Sequence, residues 1–497
     1  MGHEPDIIDM VMNMSMIEMP VVKIRRLEIE NFKNVKKGTI TMPSALKADV
    51  AGYGDILGIY GQNGSGKTAI VDALDTIKTL LCGMALPDDM RHLIMYGENM
   101  CRISVEFEIT PKDFERFRVS YTAEISHAAE AAEDKQGDDK QNRDVEVSRE
   151  VLKMPCGAAG RMAKYIEYTS DESKPVFAPD NRRKSIIQSM AGDNPEGEIN
   201  AALELKLIRA LAKQNGESFI FGNRTTRKVL DHFDGDIGPY AITSLKLFAM
   251  VNMTVIDGIT SLFSSSNMLF RVPIRDKGGI VSKTIKIYEP TVVNMDEYEQ
   301  MEGPMKNLNV VLGALIPGLQ IAVHDLGKET MADGKEGHRI ELMSQRQMSN
   351  DKIAEVPLKY ESNGIVKIAS LLSEIVAVCS DPVACLIVDE FDASINEYLL
   401  GELLSAMSSA AKGQLIFTAH NLRPLEMLDY RSVIFSTSNA NDRYKRLSKK
   451  PNNNLRSMYI REAAIGGEGD ELYSDADSIK IGRALRKAGK GMRDAGK

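Results

Sequence analysis

Residues 55–81, DILGIYGQNGSGKTAIVDALDTIKTLL, decide the fold. The first six are an apolar run of strand length, and from Lys67 onward apolar residues recur at helical spacing. Between them, Gly61-Gln62-Asn63-Gly64-Ser65-Gly66-Lys67-Thr68 fills the pattern G-x-x-x-x-G-K-[ST]. Strand, glycine loop and helix in that order form a phosphate cradle. Small residues let backbone N–H groups converge on a β-phosphate, and the helix N-terminus adds a favourable field. Lys67 is placed to reach the β- and γ-phosphates, and the Thr68 hydroxyl to ligate Mg2+.

Working outward, the apolar run 383–388 delivers Asp389 and Glu390 at its C-terminal end. Asp389 reads as a Mg2+ ligand, directly or through a water, and Glu390 as the group that orients or deprotonates an attacking water. Two acids after a strand are a weak signal alone and a specific one beside an intact phosphate loop. The next run, 414–417, leads to Thr418-Ala419-His420-Asn421. A neutral imidazole at His420 would donate to a γ-phosphate or hold the lytic water; the alternative is a helix-cap or loop histidine. Lys67, Glu390 and His420 are therefore the catalytic candidates, and Thr68 and Asp389 the metal candidates.

Glu361-Ser362-Asn363-Gly364 stands just before a helix expected over 364–378. It reads either as an ordinary helix cap or as an anion site that caps the γ-phosphate held by a second copy of the chain. His3, His92, His127, His232, His324 and His338 show no metal-ligand spacing. Cys82, Cys101, Cys156, Cys379 and Cys385 form no C-x-x-C pair, so a reduced, cytoplasmic chain is expected.

The rest of the chain is less specific. Residues 21–30 and 38–42 read as a hairpin, as do 101–109 with 117–125 and 271–288 with its turn at Gly278-Gly279. Residues 127–150 read as a solvated loop or weak helix, 171–198 as loop, 199–215 as helix, and 228–270 as two or three helices. No heptad pattern is sustained between 110 and 360, so no long coiled coil is expected. The 443–461 segment holds seven basic residues and no acid, with Tyr444 and Tyr459 as stacking candidates. With the basic last 18 residues it suggests nucleic-acid contact, a protein partner or a solvated surface.

Composition bounds the classes. At 497 residues, 43% hydrophobic and 27% charged, the chain buries a large core, which excludes disordered and collagen-like chains. The net charge of −8 argues against a globally basic nucleic-acid coat, and no run of 18 apolar residues suggests a membrane span.

Taken together, LEIENFKNV (27–35), GIYGQNGSGKTAIVDAL (58–74), YESNGIVKIASLLSEI (360–375), CLIVDEFDASINEYL (385–399) and FTAHN (417–421) resemble the ABC-type ATPase head shared by RecF, SMC proteins and double-strand-break repair ATPases. More narrowly, they resemble the overcoming-lysogenization-defect-like and AAA15 groups, found in anti-phage systems such as PARIS and Septu. The resemblance implies an α/β P-loop NTPase head assembled from N- and C-terminal segments, with a mixed α+β insertion. It divides the chain into a flexible N-terminus (1–20), a first half-head (21–125), an insertion lobe (126–338), a second half-head (339–440) and a basic-acidic-basic extension (441–497).

The same resemblance implies ATP and Mg2+ as cofactors and slow ATP hydrolysis. Ser362, Asn363 and Gly364 fall at the signature position, Asp392 and Ser362 at a dimer interface, and His420 at the switch position. It also implies a homo-oligomer formed through the heads, and a separate effector protein, a nuclease or toxin. The alternative is a RecF-like clamp on duplex DNA. A glutamine-loop residue is absent from the window 85–105, which contains no Gln.

Overall fold

The structure, a computed structural model, describes residues 20–46, 55–87, 90–112, 115–128, 144–156, 160–192, 195–229, 237–257, 268–276, 279–331, 334–347, 353–447 and 454–459, with residues 483, 484 and 487. The expectations for the first 19 residues, and for most of the acidic and basic blocks beyond 460, lie outside the described residues.

The short apolar runs of the sequence pair into one sheet. It is ordered β19 (Tyr444–Lys445), β18 (Val433–Ser436), β3 (Asp55–Tyr60), β17 (Gln414–Ala419), β16 (Cys385–Val388) and β9 (Met253–Ile256). All neighbours are parallel except β18 with β19. Strand periodicity sends alternate residues to opposite faces. Leu57, Ile59, Ile387 and Ile416 join one core, and Ile56, Tyr60, Leu386, Val388, Leu415 and Phe417 the other. Burial on both faces is why these strands read as continuous apolar runs.

Register places function on one edge. Ile256 lies beside Val388, Val388 beside Phe417 and Ala419 beside Tyr60, so the residues that follow these four strands emerge together. The C-terminal edge of a parallel sheet is the usual ligand edge of α/β folds.

The helix α1 (Lys67–Leu81) covers the first face and is itself covered by an antiparallel sheet. That sheet runs β2 (Val35–Thr41), β1 (Val21–Phe32), β4 (Met100–Thr110), β5 (Phe117–His127), β6 (Val145–Cys156), β7 (Arg161–Thr169) and β8 (Phe177–Ala178). Enclosure on two sides explains why α1 buries Ile70, Val71, Leu74, Ile77, Leu80 and Leu81, more than a single-faced helix would. Gln414 at the start of β17 ties the two layers together. Its side chain donates to the Ile24 carbonyl (2.8 Å) and to Asp55 Oδ2 (2.5 Å), and accepts from the Ile24 N–H (2.7 Å).

Against the other face pack the hairpin β10 (Leu269–Asp276) and β11 (Gly279–Lys286), and a sheet of β12 (Thr291–Asn294), β13 (Leu319–Thr330), β14 (Glu336–Gln347) and β15 (Ile353–Pro357). With them lie helices Glu302–Leu315, Asn363–Ser380 and Glu397–Ala410. The Asn363–Ser380 helix is the one described helix long and apolar enough to cross a membrane, and half of it is buried within the chain.

Several expectations are corrected. Residues 145–156 form a strand, since Val145, Val147, Val151, Leu152 and Met154 enter the core. The charges that suggest a solvated loop are paired across strands: Arg149 donates to Glu124 and Glu167 at 2.8 Å each. The loop read over 171–198 contains the helix Asp180–Ala191, capped on an extended Pro179. Within 228–270, helix Ile237–Leu247 gives way to β9, because pairing with β16 overrides its helix-like composition. Within 126–338, β6 to β8 extend the antiparallel sheet and β9 forms one edge of the parallel one. Beyond residue 440, Arg443 and Tyr444 are buried and bond to the Asn34 and Gly66 carbonyls.

Candidate functional site

The phosphate loop joins β3 to α1, and its glycines meet a steric requirement. Gly64 and Gly66 have φ of +77° and +88°, and a Cβ on Gly66 would lie 2.9 Å from Val35 Cγ2. The loop's carbonyls are held by the protein. Asn34 Nδ2 donates to Gly64 O (2.5 Å), Ser65 Oγ to Gln62 O (2.6 Å) and Tyr444 Oη to Gly66 O (2.6 Å). Because N–H and C=O of a trans peptide point in opposite directions, the hold on Gly66 O turns the Lys67 N–H away from Tyr444. Ser65 and Ser436 share a hydroxyl hydrogen bond of 2.5 Å that closes the back of the loop.

Lys67 is 6% exposed, and its ammonium curls over the loop to Gly61 O (2.9 Å) and Gln62 O (3.0 Å). Burial lowers its pKa, against the pull of Asp389, Asp392 and Glu390. A loop with φ-positive glycines, outward-held carbonyls and a cation folded across its mouth fits a nucleotide phosphate chain.

On the neighbouring strands, Asp389 is buried and its N–H donates to Ile256 O at 2.8 Å. Thr418 joins the two acids: its hydroxyl donates to Asp389 Oδ1 and accepts from the Glu390 N–H (2.8 Å). Glu390 has φ of +48°, an uncommon conformation for a residue with a side chain. Asp392 Oδ2 accepts from the N–H groups of His420 (2.8 Å) and Asn421 (2.5 Å). Desolvation and the Lys67 ammonium lower the His420 pKa, opposed by Asp392, Glu390 and Asp389. These couplings place Lys67, both acids and His420 in one electrostatic neighbourhood.

Ser362 caps the Asn363–Ser380 helix through its backbone, without a side-chain hydrogen bond to the helix, and Ser362 and Asn363 are exposed. A Cβ on Gly364 would lie 2.3 Å from Ser394 O, so this end of the helix and the loop after Asp392 pack on each other. Among the described residues no hydrogen bond joins Ser362, Asn363 or Gly364 to the phosphate loop of the same chain. The Asp392 carboxylate holds the backbone of His420 and Asn421 within its own chain. The stacking expectation is corrected: Tyr444 lies buried under the loop, and Tyr459 stacks on Phe435 with centroids 5.3 Å apart.

The sequence reading leaves out Lys367 and Asp257, gives Thr418 no role of its own and offers Tyr444 as a stacking residue where the structure makes it a donor to the loop. The window 85–105 leads into β4 of the antiparallel sheet; the strand flanking β16 is β9, which puts Asp257 at the sheet edge beside Asp389. Lys367 is 4% exposed, and its ammonium donates to Glu390 O at 2.5 Å. Burial pushes its pKa down to about 8, opposed by Asp392, Glu390 and Asp389. A lysine amid VKIASLL was a visible signal, since it interrupts an apolar helix face.

The fold and site define an α/β P-loop architecture, with the loop and two acids on one sheet edge. No protein-family model and no curated protein matches the chain. Among solved structures it is similar to the Smc head domain with an extended coiled coil bound to the C-terminal domain of ScpA, derived from Pyrococcus furiosus (15% identity, 89% of this chain and 99% of that one, TM-score 0.40). It is also similar to an Smc head with a coiled coil and joint from Pyrococcus yayanosii (12%, 89% and 99%, TM-score 0.41) and to the SMC head domain from Thermotoga maritima (12%, 86% and 100%, TM-score 0.34).

Proposed function

We propose that the chain is an ATP-hydrolysing molecular switch that works as a dimer of heads. Gly61 to Thr68 hold the phosphates, Lys67 neutralises their charge, and Glu390 takes the proton of the attacking water. The neutral His420 imidazole orients that water or the γ-phosphate. Thr68 and Asp389 supply a hydroxyl and a carboxylate, the hard oxygen donors that Mg2+ prefers, and bound Mg2+ would offset the charge developing on the transferred phosphoryl group. The observation that supports this best is the shared sheet edge, with Lys67 electrostatically coupled to Asp389 and Glu390 and His420 coupled to all three.

The Ser362-Asn363-Gly364 helix end, exposed at Ser362 and Asn363 and without a side-chain cap, is offered to the nucleotide of a second copy. Closure and opening of the pair would control an associated effector, a nuclease or toxin, in anti-phage defence; the alternative load is duplex DNA clamped between heads. In the described part of the basic segment, Arg443, Arg446 and Arg456 bond to the chain itself.

The test compares wild type, Lys67→Ala and Glu390→Gln. Lys67→Ala should lose nucleotide binding, while Glu390→Gln should bind ATP and Mg2+, stop turnover and trap the closed assembly. Wild-type turnover in Glu390→Gln would refute the assigned base. A stoichiometric protein recovered with the trapped variant indicates an effector scaffold, and bound nucleic acid indicates the DNA clamp.

A further inference from the structure

Glu390 is held at both ends of its backbone. Its N–H donates to Thr418 Oγ1 at 2.8 Å, and its C=O accepts from Lys367 Nζ at 2.5 Å. The clamp encloses a residue with φ of +48°, a region disfavoured for a residue that carries a side chain. Lys367 reaches this carbonyl from a different element, the helix that begins at Asn363, and does so from a nearly fully buried position. Burying an ammonium is costly unless it is paired. Asp392, Glu390 and Asp389 all attract it and offset part of that cost.

We propose that Lys367 is a positioning residue for hydrolysis: by fixing the Glu390 carbonyl in the left-handed conformation, it aims the Glu390 side chain at the attacking water. The proposal rests on the assignment of Glu390 as the base. Lys367 touches no reacting atom. It acts through the Glu390 backbone, and its loss should appear in turnover while nucleotide affinity stays intact, because the phosphates are held by another loop.

The experiment uses the full chain with Mg-ATP and compares Lys367→Met, Lys367→Arg, Glu390→Gln and the Lys367→Met/Glu390→Gln double variant. Steady-state hydrolysis, affinity for a fluorescent ATP analogue and thermal unfolding are measured for each. Lys367→Met should lower kcat by roughly 10- to 100-fold, with KM and nucleotide affinity within about twofold, as expected when an aligned group is displaced by about an ångström. Lys367→Arg keeps the charge but moves the donor, and should fall between Lys367→Met and wild type. The double variant should be no slower than Glu390→Gln alone.

Wild-type kcat in Lys367→Met, or a parallel loss of affinity, kcat and thermal stability, would overturn the proposal. If Lys367→Met does not fold, Lys367→Arg decides. A lowered kcat at unchanged KM supports the clamp, and wild-type kcat removes it. Absence of hydrolysis in wild type, or full activity in Glu390→Gln, would instead remove the assignment of Glu390 on which the proposal rests.

Discussion

The phenol of Tyr444 donates to the carbonyl of Gly66 at 2.6 Å across 378 positions of sequence, so the phosphate loop near the start of the chain rests on a residue near its end. The ring fits only because β2 carries Gly38 opposite it, where a Cβ would lie 2.4 Å from a Tyr444 ring carbon. Tyr444→Phe removes one neutral hydrogen bond, worth about 1 kcal/mol. It should weaken ATP affinity severalfold through a looser loop, measured by titration with a fluorescent analogue. Unchanged affinity would mean that the loop keeps its shape without this bond.

Asp392 fixes the backbone that presents His420. Asp392→Ala removes the acceptor of two N–H groups, and should lower kcat about tenfold while leaving nucleotide affinity within about twofold. Equal losses in both would place Asp392 in binding.

Titration of His420 has a definite sign. Its folded pKa lies below the ordinary value near 6.5, so the unfolded chain binds more protons below that pH and stability falls as pH falls through it. Hydrolysis that needs the neutral imidazole should decline on the acid side, at a lower pH than an ordinary histidine would set. His420→Ala should erase that acid limb from the pH profile of kcat. A limb that persists in the variant belongs to another group.

Away from the site, Glu150 is a fully buried carboxylate that accepts from Tyr121 Oη (2.6 Å), Ser218 Oγ (2.5 Å), Phe219 N (2.6 Å) and Ile220 N (3.4 Å). Glu150→Ala strands these donors and should cost about 3 kcal/mol, read as a lower urea midpoint. Glu150→Gln, which retains an acceptor oxygen, should cost less. An unchanged midpoint in the Ala variant would show that water replaces the carboxylate.

Ser362 makes no side-chain bond to its own helix, so Ser362→Arg should fold normally and bind ATP as a monomer. In the Glu390→Gln background it should abolish the ATP-dependent dimer proposed for that variant, with mass photometry as the readout. A dimer that survives would exclude the cross-subunit role of this helix end.

By itself the sequence determined the local elements whose periodicity is unambiguous: β3, the phosphate loop, α1, the strand carrying Asp389 and Glu390, and the helix after Ser362. In each, the residue pattern and the backbone geometry point to the same element, as with φ-positive glycines in a tight loop. Only the tertiary structure decided which distant pieces meet. β9 is a strand because β16 pairs with it, and 145–156 is a strand because its charges find cross-strand partners. Tyr444 and Arg443 look like surface residues in sequence and are buried because the fold supplies carbonyl acceptors for their donors. Burial and partnership are properties of contacts, and contacts between residues hundreds of positions apart leave no local periodicity to read.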